Sequence, residues 1–266
     1  MTVEYIQRIA LCVRYDGARY HGWQNQEGLP TIQGCLEKAL SSVADHPVAV
    51  VCAGRTDAGV HATGQIAHFD THANRNDHAW VFGANSNLPG DISVGWAKHV
   101  WRDFHARHTA LARRYRYIIY NHEIRPGILR HAVGWYYRLL DEKRMQEAGQ
   151  YLLGEHDFSA FRGAGCESST PIREIFDLEV TRYRRMIVID IRANAFLLHM
   201  VRNIVGVLVA VGSGEKPAEW VKEVLESRDR RHGAVTIQPN GLYLVEVKYP
   251  EECDLPTVPL GPFFLP

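Results

Sequence analysis

"VAVVCAGRTDAGVHATGQIAHFD", residues 48–70, holds two strand signals and the connection that joins them. The first six residues are an apolar run, and the tail from Gln65 to Asp70 alternates. Period-two alternation suits a strand buried on one face, and a short apolar run ending at a glycine reads as a second strand. "GRTDAGVH" (54–61) between them is then a tight turn. Gly54 and Gly59 permit close backbone approach or positive φ, and an aspartate before Ala-Gly is ordinary turn chemistry. The same loop sets a mobile cation, Arg55, beside a carboxylate, Asp57, at a strand end where rigid scaffolds commonly carry their sites. Both roles for Asp57, turn former and reactive group, stand open on local sequence.

Outward from this hairpin, "RIALCVRY" (8–15) predicts a strand, and Thr31 is an N-cap for the amphipathic helix "TIQGCLEKALSSVAD" (31–45). With strands at 48–54 and 65–70, a helix near 77–86 and a strand in "DISVGWAKHVW", the order is β-α-β-β-α-β. From Ala112 the rhythm recurs. Strand "ARRYRYIIY" and helix "DEKRMQEAGQYLLG" precede strands near 172–182 and 185–193, helices at 196–211 and 217–227, and a strand in "GLYLVEVKY". The expected fold class is α+β: two split β-α-β, ferredoxin-like halves, their antiparallel-rich sheets joined side by side with a basic cleft between them. A boundary near residue 110 gives domains 1–110, carrying the Asp57 loop, and 111–266.

Hydrophobic residues make up 46% of the 266 and charged residues 23%, the balance of a folded chain. The N-terminus lacks a signal-peptide core, and "NIVGVLVAVG" is too short to cross a bilayer, so a cytoplasmic, membrane-free protein is expected. Five scattered cysteines without C-x-x-C imply reduced, mostly buried thiols, and His61 and His68 miss the H-x-x-x-H spacing, so no metal is assigned. "GSGEKP" follows a helix and lacks the last glycine of a dinucleotide motif, and no Walker motif appears.

A formal net charge of zero hides an uneven distribution. The 30 basic residues comprise 24 arginines and 6 lysines, a bias toward the planar fork that grips phosphate. Arg102, Arg107, Arg113, Arg114 and Arg116 crowd one segment with His105 and His108, opposed there by Asp103 alone. Such a stripe marks a nucleic-acid surface. In "ARRYRYIIY", alternation sets Tyr115 and Tyr117 on one face and Arg114 and Arg116 on the other. The tyrosines are either core or a platform for an extruded base. In "FLLHMVRNIVGVLVAV", His199, Arg202, Asn203 and Gly206 form one polar stripe on a greasy helix. Arg202 must reach solvent or pair with an anion, and Asp57 is the loop carboxylate in the most unusual setting. An arginine partner favours the ionised carboxylate that a nucleophile requires.

These residues resemble the tRNA pseudouridine synthases of the TruA type. The likeness runs through "YDGARYHGWQNQ" (15–26), "CAGRTDAGVHATGQIAHF" (52–69), "FHARHTALARRYRYIIYN" (104–121), "ANAFLLHMVRNIVG" (193–206) and "GLYLVEVKY" (241–249). It implies isomerisation of uridine to pseudouridine at positions 38, 39 and 40 of the tRNA anticodon stem-loop, without a cofactor. It also implies a homodimer with tRNA laid across both subunits. By the same resemblance Asp57 is the catalytic aspartate, Tyr115 stacks on the target uracil, and Arg202 is the basic partner of the aspartate. Arg55 helps flip the base and Leu242 walls the pocket. Phe104, His105, Ala106, Arg107, His108 and Arg114 contact the tRNA. A catalytically silent RNA-binding protein and a nucleosidase-like hydrolase are the competing functions.

Overall fold

The computed structural model describes residues 6–265. The chain packs as two compact units, Met1–Leu111 together with Leu244–Leu265, and Ala112–Tyr243.

The first unit runs β1 (Gln7–Tyr15), α1 (Ile32–Ala44), β2 (Val50–Cys52), β3 (His61–Thr71), α2 (Asp77–Asn87) and β4 (Ile92–Val100). β1 lies between β4 and β3, and β2 adds to β3 with Cys52 opposite Ala67, every pair antiparallel. Thr31 caps α1 by accepting the Gly34 N–H. Ile9 and Phe69 are cross-strand partners on the face where Phe69 meets Trp80 of α2 edge to face at 5.0 Å. The opposite face is covered too. Ala10, Cys12 and Ile66 pack there with Phe104, Ala106, Tyr249 and Cys253. Cover on both faces explains why "IALCV" (9–13) is apolar at every position rather than alternating. Burying each large side chain such as Trp80 or Phe104 contributes about 1.5–3 kcal/mol. Segment 244–265 therefore belongs with the first unit, and Tyr249 Oη clamps it by donating to Ala106 O at 2.6 Å.

The second unit holds β5 (Ala112–Asn121), β6 (Gly134–Tyr136), α3 (Glu142–Gln150), β7 (Gly154–Asp157), β8 (Ile172–Tyr183), β9 (Met186–Ala193), α4 (Met200–Gly212) and α5 (Trp220–Ser227). β10 (Leu242–Lys248) starts in this unit and continues in the first. The order β5-β9-β8-β7 is antiparallel throughout, and β6 pairs parallel with β5. On β9, Ile187, Ile189 and Ile191 are fully buried, while Asp190 belongs to the other face. There a charge ladder crosses the strands. Asp190 accepts from Arg114 at 2.7 Å and Arg116 at 2.8 Å, and Asp177 of β8 accepts from Arg192 at 2.6 Å.

Mixed α/β architecture with mostly antiparallel strands agrees with the α+β class expected. Two of the expected elements are shortened by contacts that can be named. The strand expected over 48–54 is only Val50–Cys52, because α1 side chains take its backbone: Val48 N–H donates to Ser41 Oγ and Val50 N–H to Glu37 Oε1. The helix expected from 196 begins at Met200. Asn194 Oδ1 accepts the N–H of Glu174 and of Ala195, while Leu198 gives its carbonyl to Gly163 N–H and its N–H to Cys166 Sγ. Backbone groups committed to β8 and to the 163–166 loop are lost to helix, and His199 ends the segment at φ +59° as the N-cap. His199 therefore stands before the helix rather than on its stripe.

All five cysteines are free thiols, with Cys12, Cys52 and Cys253 buried and Cys35 and Cys166 partly so. Burial pushes the Cys12 thiol up to about 11 and that of Cys52 up to about 12. Among the described residues no helix is long and apolar enough to cross a membrane.

Candidate active site

The Gly54–His61 connection is built from strand ends inward. Past Cys52 the ladder adds one bond, Ala53 N–H to Ile66 O at 2.8 Å, and the Gln65 side chain donates to Gly54 O at 2.7 Å. The chain then reverses. Val60 N–H donates to Asp57 O at 3.1 Å with Gly59 at φ +78°, which is the third position of a type II turn, where only glycine is at ease. Thr56 is sunk to 7% exposure. Its hydroxyl lies 2.8 Å from Tyr15 Oη, and its carbonyl accepts the Trp23 N–H at 3.0 Å. Gly22, at φ +88°, lets the 20–23 loop come this close, since a Cβ there would sit 2.6 Å from Thr56 O. With Thr56 held inward, Arg55 is exposed and Asp57 half-buried. Turn former and loop carboxylate are thus one residue: the backbone carbonyl of Asp57 closes the turn that carries its side chain. At the hairpin's end, buried His61 has Nδ1 3.1 Å from Gly17 N and 3.0 Å from Asp16 Oδ1.

The same unit carries 104–108, where the expected tRNA contacts divide. Phe104 and Ala106 are fully buried. Ala106 donates its N–H to His68 Nδ1 at 3.1 Å, and Phe104 O accepts from Arg8 at 2.8 Å. Their side chains belong to the core, because the segment alternates and its apolar members face inward. His105 is half-buried, and Arg107 and His108 are exposed. His68 is held down to about 4, first by burial and then by Arg8 and His105. Burial also lowers His105, helped by His108.

The second unit carries Tyr115, Arg114, Arg202 and Leu242. Tyr115 on β5 is 8% exposed and meets Phe196 edge to face at 5.1 Å. Tyr117, on the same face, is fully buried and donates from Oη to Gln238 O at 2.9 Å, with its phenol pushed well up by burial. Arg114 shares Asp190 with Arg116, so this part of the basic stripe is internally compensated. Arg202 donates Nε–H to Ile237 O at 2.9 Å. Leu242, at the start of β10, is buried.

Among the described residues no cluster of three or more histidine, cysteine or carboxylate side chains could hold a metal. The sequence alone did not bring out Tyr15, Thr56 and Gln65, which meet beneath the loop from positions 41 and 50 residues apart. Its one signal is a hydroxyl placed between Arg55 and Asp57.

The family model described as tRNA pseudouridine synthase matches residues 11–108 and 148–250. A protein of Coxiella burnetii named tRNA pseudouridine synthase A is 70% identical over 259 residues, covering 97% of this chain and 99% of that one. Proteins of the same name from Vibrio parahaemolyticus and Klebsiella pneumoniae are 60% and 55% identical. The first covers 97% of this chain and 98% of its own length, the second 100% and 98%. The Asp57 turn, the 104–108 segment and the Arg202 helix all fall within the matched residues, and the chain belongs to the tRNA pseudouridine synthase family.

Proposed function

We propose that this chain isomerises uridine to pseudouridine at positions 38, 39 and 40 of the tRNA anticodon stem-loop, with Asp57 as the reacting carboxylate. The observation that carries the proposal is the Gly54–Gly59 loop, a rigid turn that sinks Thr56 and leaves a cation and a carboxylate on either side of it.

The reaction breaks the N1–C1′ bond of uridine, turns the uracil while it remains held, and joins C5 to C1′ before the C5 proton leaves. The C5 proton passes to solvent and N1 takes one up, so product and substrate are isomers, and neither a redox partner nor a net water enters the equation. Asp57 captures the sugar at C1′ or adds to uracil at C6, and either step uses a positioned nucleophilic carboxylate. Tyr115 supplies a stacking face for the extruded uracil, and Leu242 an apolar wall. By the family resemblance, Arg202 serves as the basic partner that favours an ionised aspartate. Arg55, on the exposed side of the same turn, fills the gap left by the flipped nucleotide, whose unstacking costs about a few kcal/mol. Arg107 and His108 offer exposed donors to the tRNA backbone, and Arg114 is a further tRNA contact. Basic residues of the 102–116 stripe hold the anticodon arm, and a homodimer in the cytoplasm lays one tRNA across both subunits.

The test is tritium release from tRNA labelled at uridine C5, with nucleosides of the product resolved by chromatography. Release matched by pseudouridine is expected. Free uracil would instead identify a hydrolase, and folded, tRNA-bound protein that releases no tritium would identify a silent RNA-binding protein.

A further inference from the structure

Three polar residues distant in sequence meet beneath the Gly54–Gly59 loop. Tyr15, the last residue of β1, is 5% exposed, Thr56 is nearly as buried, and Gln65 of β3 is fully buried. Tyr15 Oη stands 2.8 Å from Thr56 Oγ1 and 3.5 Å from Gln65 Nε2, and Gln65 Nε2 donates to Gly54 O at 2.7 Å. The Tyr15 ring rests on Trp23 with centroids 6.0 Å apart, and Trp23 N–H holds the Thr56 carbonyl.

Stability alone does not account for this arrangement. A net hydrogen bond contributes little once both partners have been dehydrated, and replacing both by apolar groups of equal shape is close to neutral. Among the described residues Gln65 Oε1 meets no protein donor, so burial of this amide is not matched by a full set of protein hydrogen bonds. What the polar set does supply is direction. A hydroxyl bridge fixes the depth of Thr56 and the rotation of its peptide, and the next Cα, about 3.8 Å along the chain, is that of Asp57.

We propose that the Tyr15–Thr56 hydrogen bond, backed by Gln65, is a positioning device that sets the reach of the Asp57 carboxylate toward the flipped uridine. The inference rests on the assignment of Asp57 as the reacting group. Tyr15 and Thr56 are positioning residues, both buried. They act through the loop, and a displacement of about 1 Å at a reacting group costs about a hundredfold in rate.

The test measures single-turnover conversion with enzyme in excess, together with tRNA affinity and melting temperature. The variants are Tyr15→Phe, Thr56→Val, both combined, and Thr56→Ser. Tyr15→Phe keeps the ring on Trp23, and Thr56→Val keeps the volume, so folding is preserved. Each single variant is expected to slow conversion about 10–100-fold while tRNA affinity stays within about twofold. The double variant should be no slower than the slower single, since both remove one bridge. Thr56→Ser restores the hydroxyl and should recover the rate to within about threefold. Single variants at wild-type rate, rates that fall only with affinity or folded fraction, or losses that multiply in the double variant would overturn the inference. Asp57→Asn separates the two levels. If it is inactive while the hydroxyl variants run at full rate, only the positioning role fails; if it turns over normally, the assignment of the carboxylate fails and the inference with it.

Discussion

Arg202 donates its Nε–H to the carbonyl of Ile237 at 2.9 Å, which ties the arginine of α4 to the segment 234–238. One turn position on, buried Asn203 accepts from Thr236 Oγ1 at 2.6 Å and from Arg230 at 3.1 Å, and donates to Phe161 O at 2.7 Å. Arg230 also holds Ala234 O and Thr236 Oγ1. The polar stripe on this apolar helix is therefore a docking strip for a neighbouring segment, and Arg202 sits at its edge with its orientation set by that contact.

Removing Asn203 leaves Phe161 O and the Thr236 hydroxyl without their partner in a buried site. Asn203→Ala should destabilise the protein by about 2–3 kcal/mol. Urea unfolding checks this as a fall in midpoint at constant slope. A loss below about 0.5 kcal/mol would mean that the segment is not held by this network.

Gly206 lies one turn further along the same strip. Helix propensity alone favours alanine by about 1 kcal/mol. Against that, a Cβ at Gly206 would sit 2.3 Å from Val235 O, a backbone atom that cannot swing aside. The overlap wins, so Gly206→Ala should lower the melting temperature and slow turnover by displacing the Ile237 carbonyl from Arg202. A raised melting temperature would show that 234–238 yields freely.

His68 gives a pH dependence whose sign is fixed. Its folded value, about 4, lies below the ordinary 6.5, so between these two pH values the unfolded chain binds the extra proton. Its contribution is complete above about pH 6.5, declines as pH falls, and is exhausted near pH 4, amounting to roughly 3 kcal/mol. His68→Gln should flatten the stability profile across that window, as chemical denaturation at successive pH values would register. An unchanged slope would assign the dependence to other groups.

Arg107 is exposed, whereas Arg114 shares a carboxylate with Arg116. Arg107→Ala should weaken tRNA binding and flatten the salt dependence of log K by roughly 0.7–0.9, one phosphate contact. Arg114→Ala should act less through salt, because Arg116 continues to neutralise Asp190. Equal slopes for Arg107→Ala and wild type would remove Arg107 from the phosphate surface.

How far the sequence carried can be seen at particular residues. Thr31 announces α1 because a cap is a local interaction three residues long. The Asp57 turn is legible for the same reason: Gly59 and the carbonyl it bends back to lie within four residues. Phe104 and Ala106, which the resemblance assigns to the tRNA surface, turn inward because the sheet's second face is also covered, a long-range fact that local sequence does not carry. β6 and β7, three and four residues long, are too short for any periodicity to declare them. The start of α4 depends on Asn194 and on the 163–166 loop, contacts 20 and 32 residues away for Glu174 with Asn194 and Leu198 with Cys166. The Tyr15–Thr56–Gln65 set is equally nonlocal, and composition alone cannot draw those three together.

The central claim is that the Asp57 carboxylate reacts after the tRNA has docked. Its most direct test is tritium release by Asp57→Ala on C5-labelled tRNA, with affinity measured on the same preparation. The account predicts no release and an affinity within a few-fold of wild type. Release at the wild-type rate would contradict it, as would a collapse of affinity in a properly folded variant, which would make Asp57 an anchor for tRNA rather than the group that acts on it.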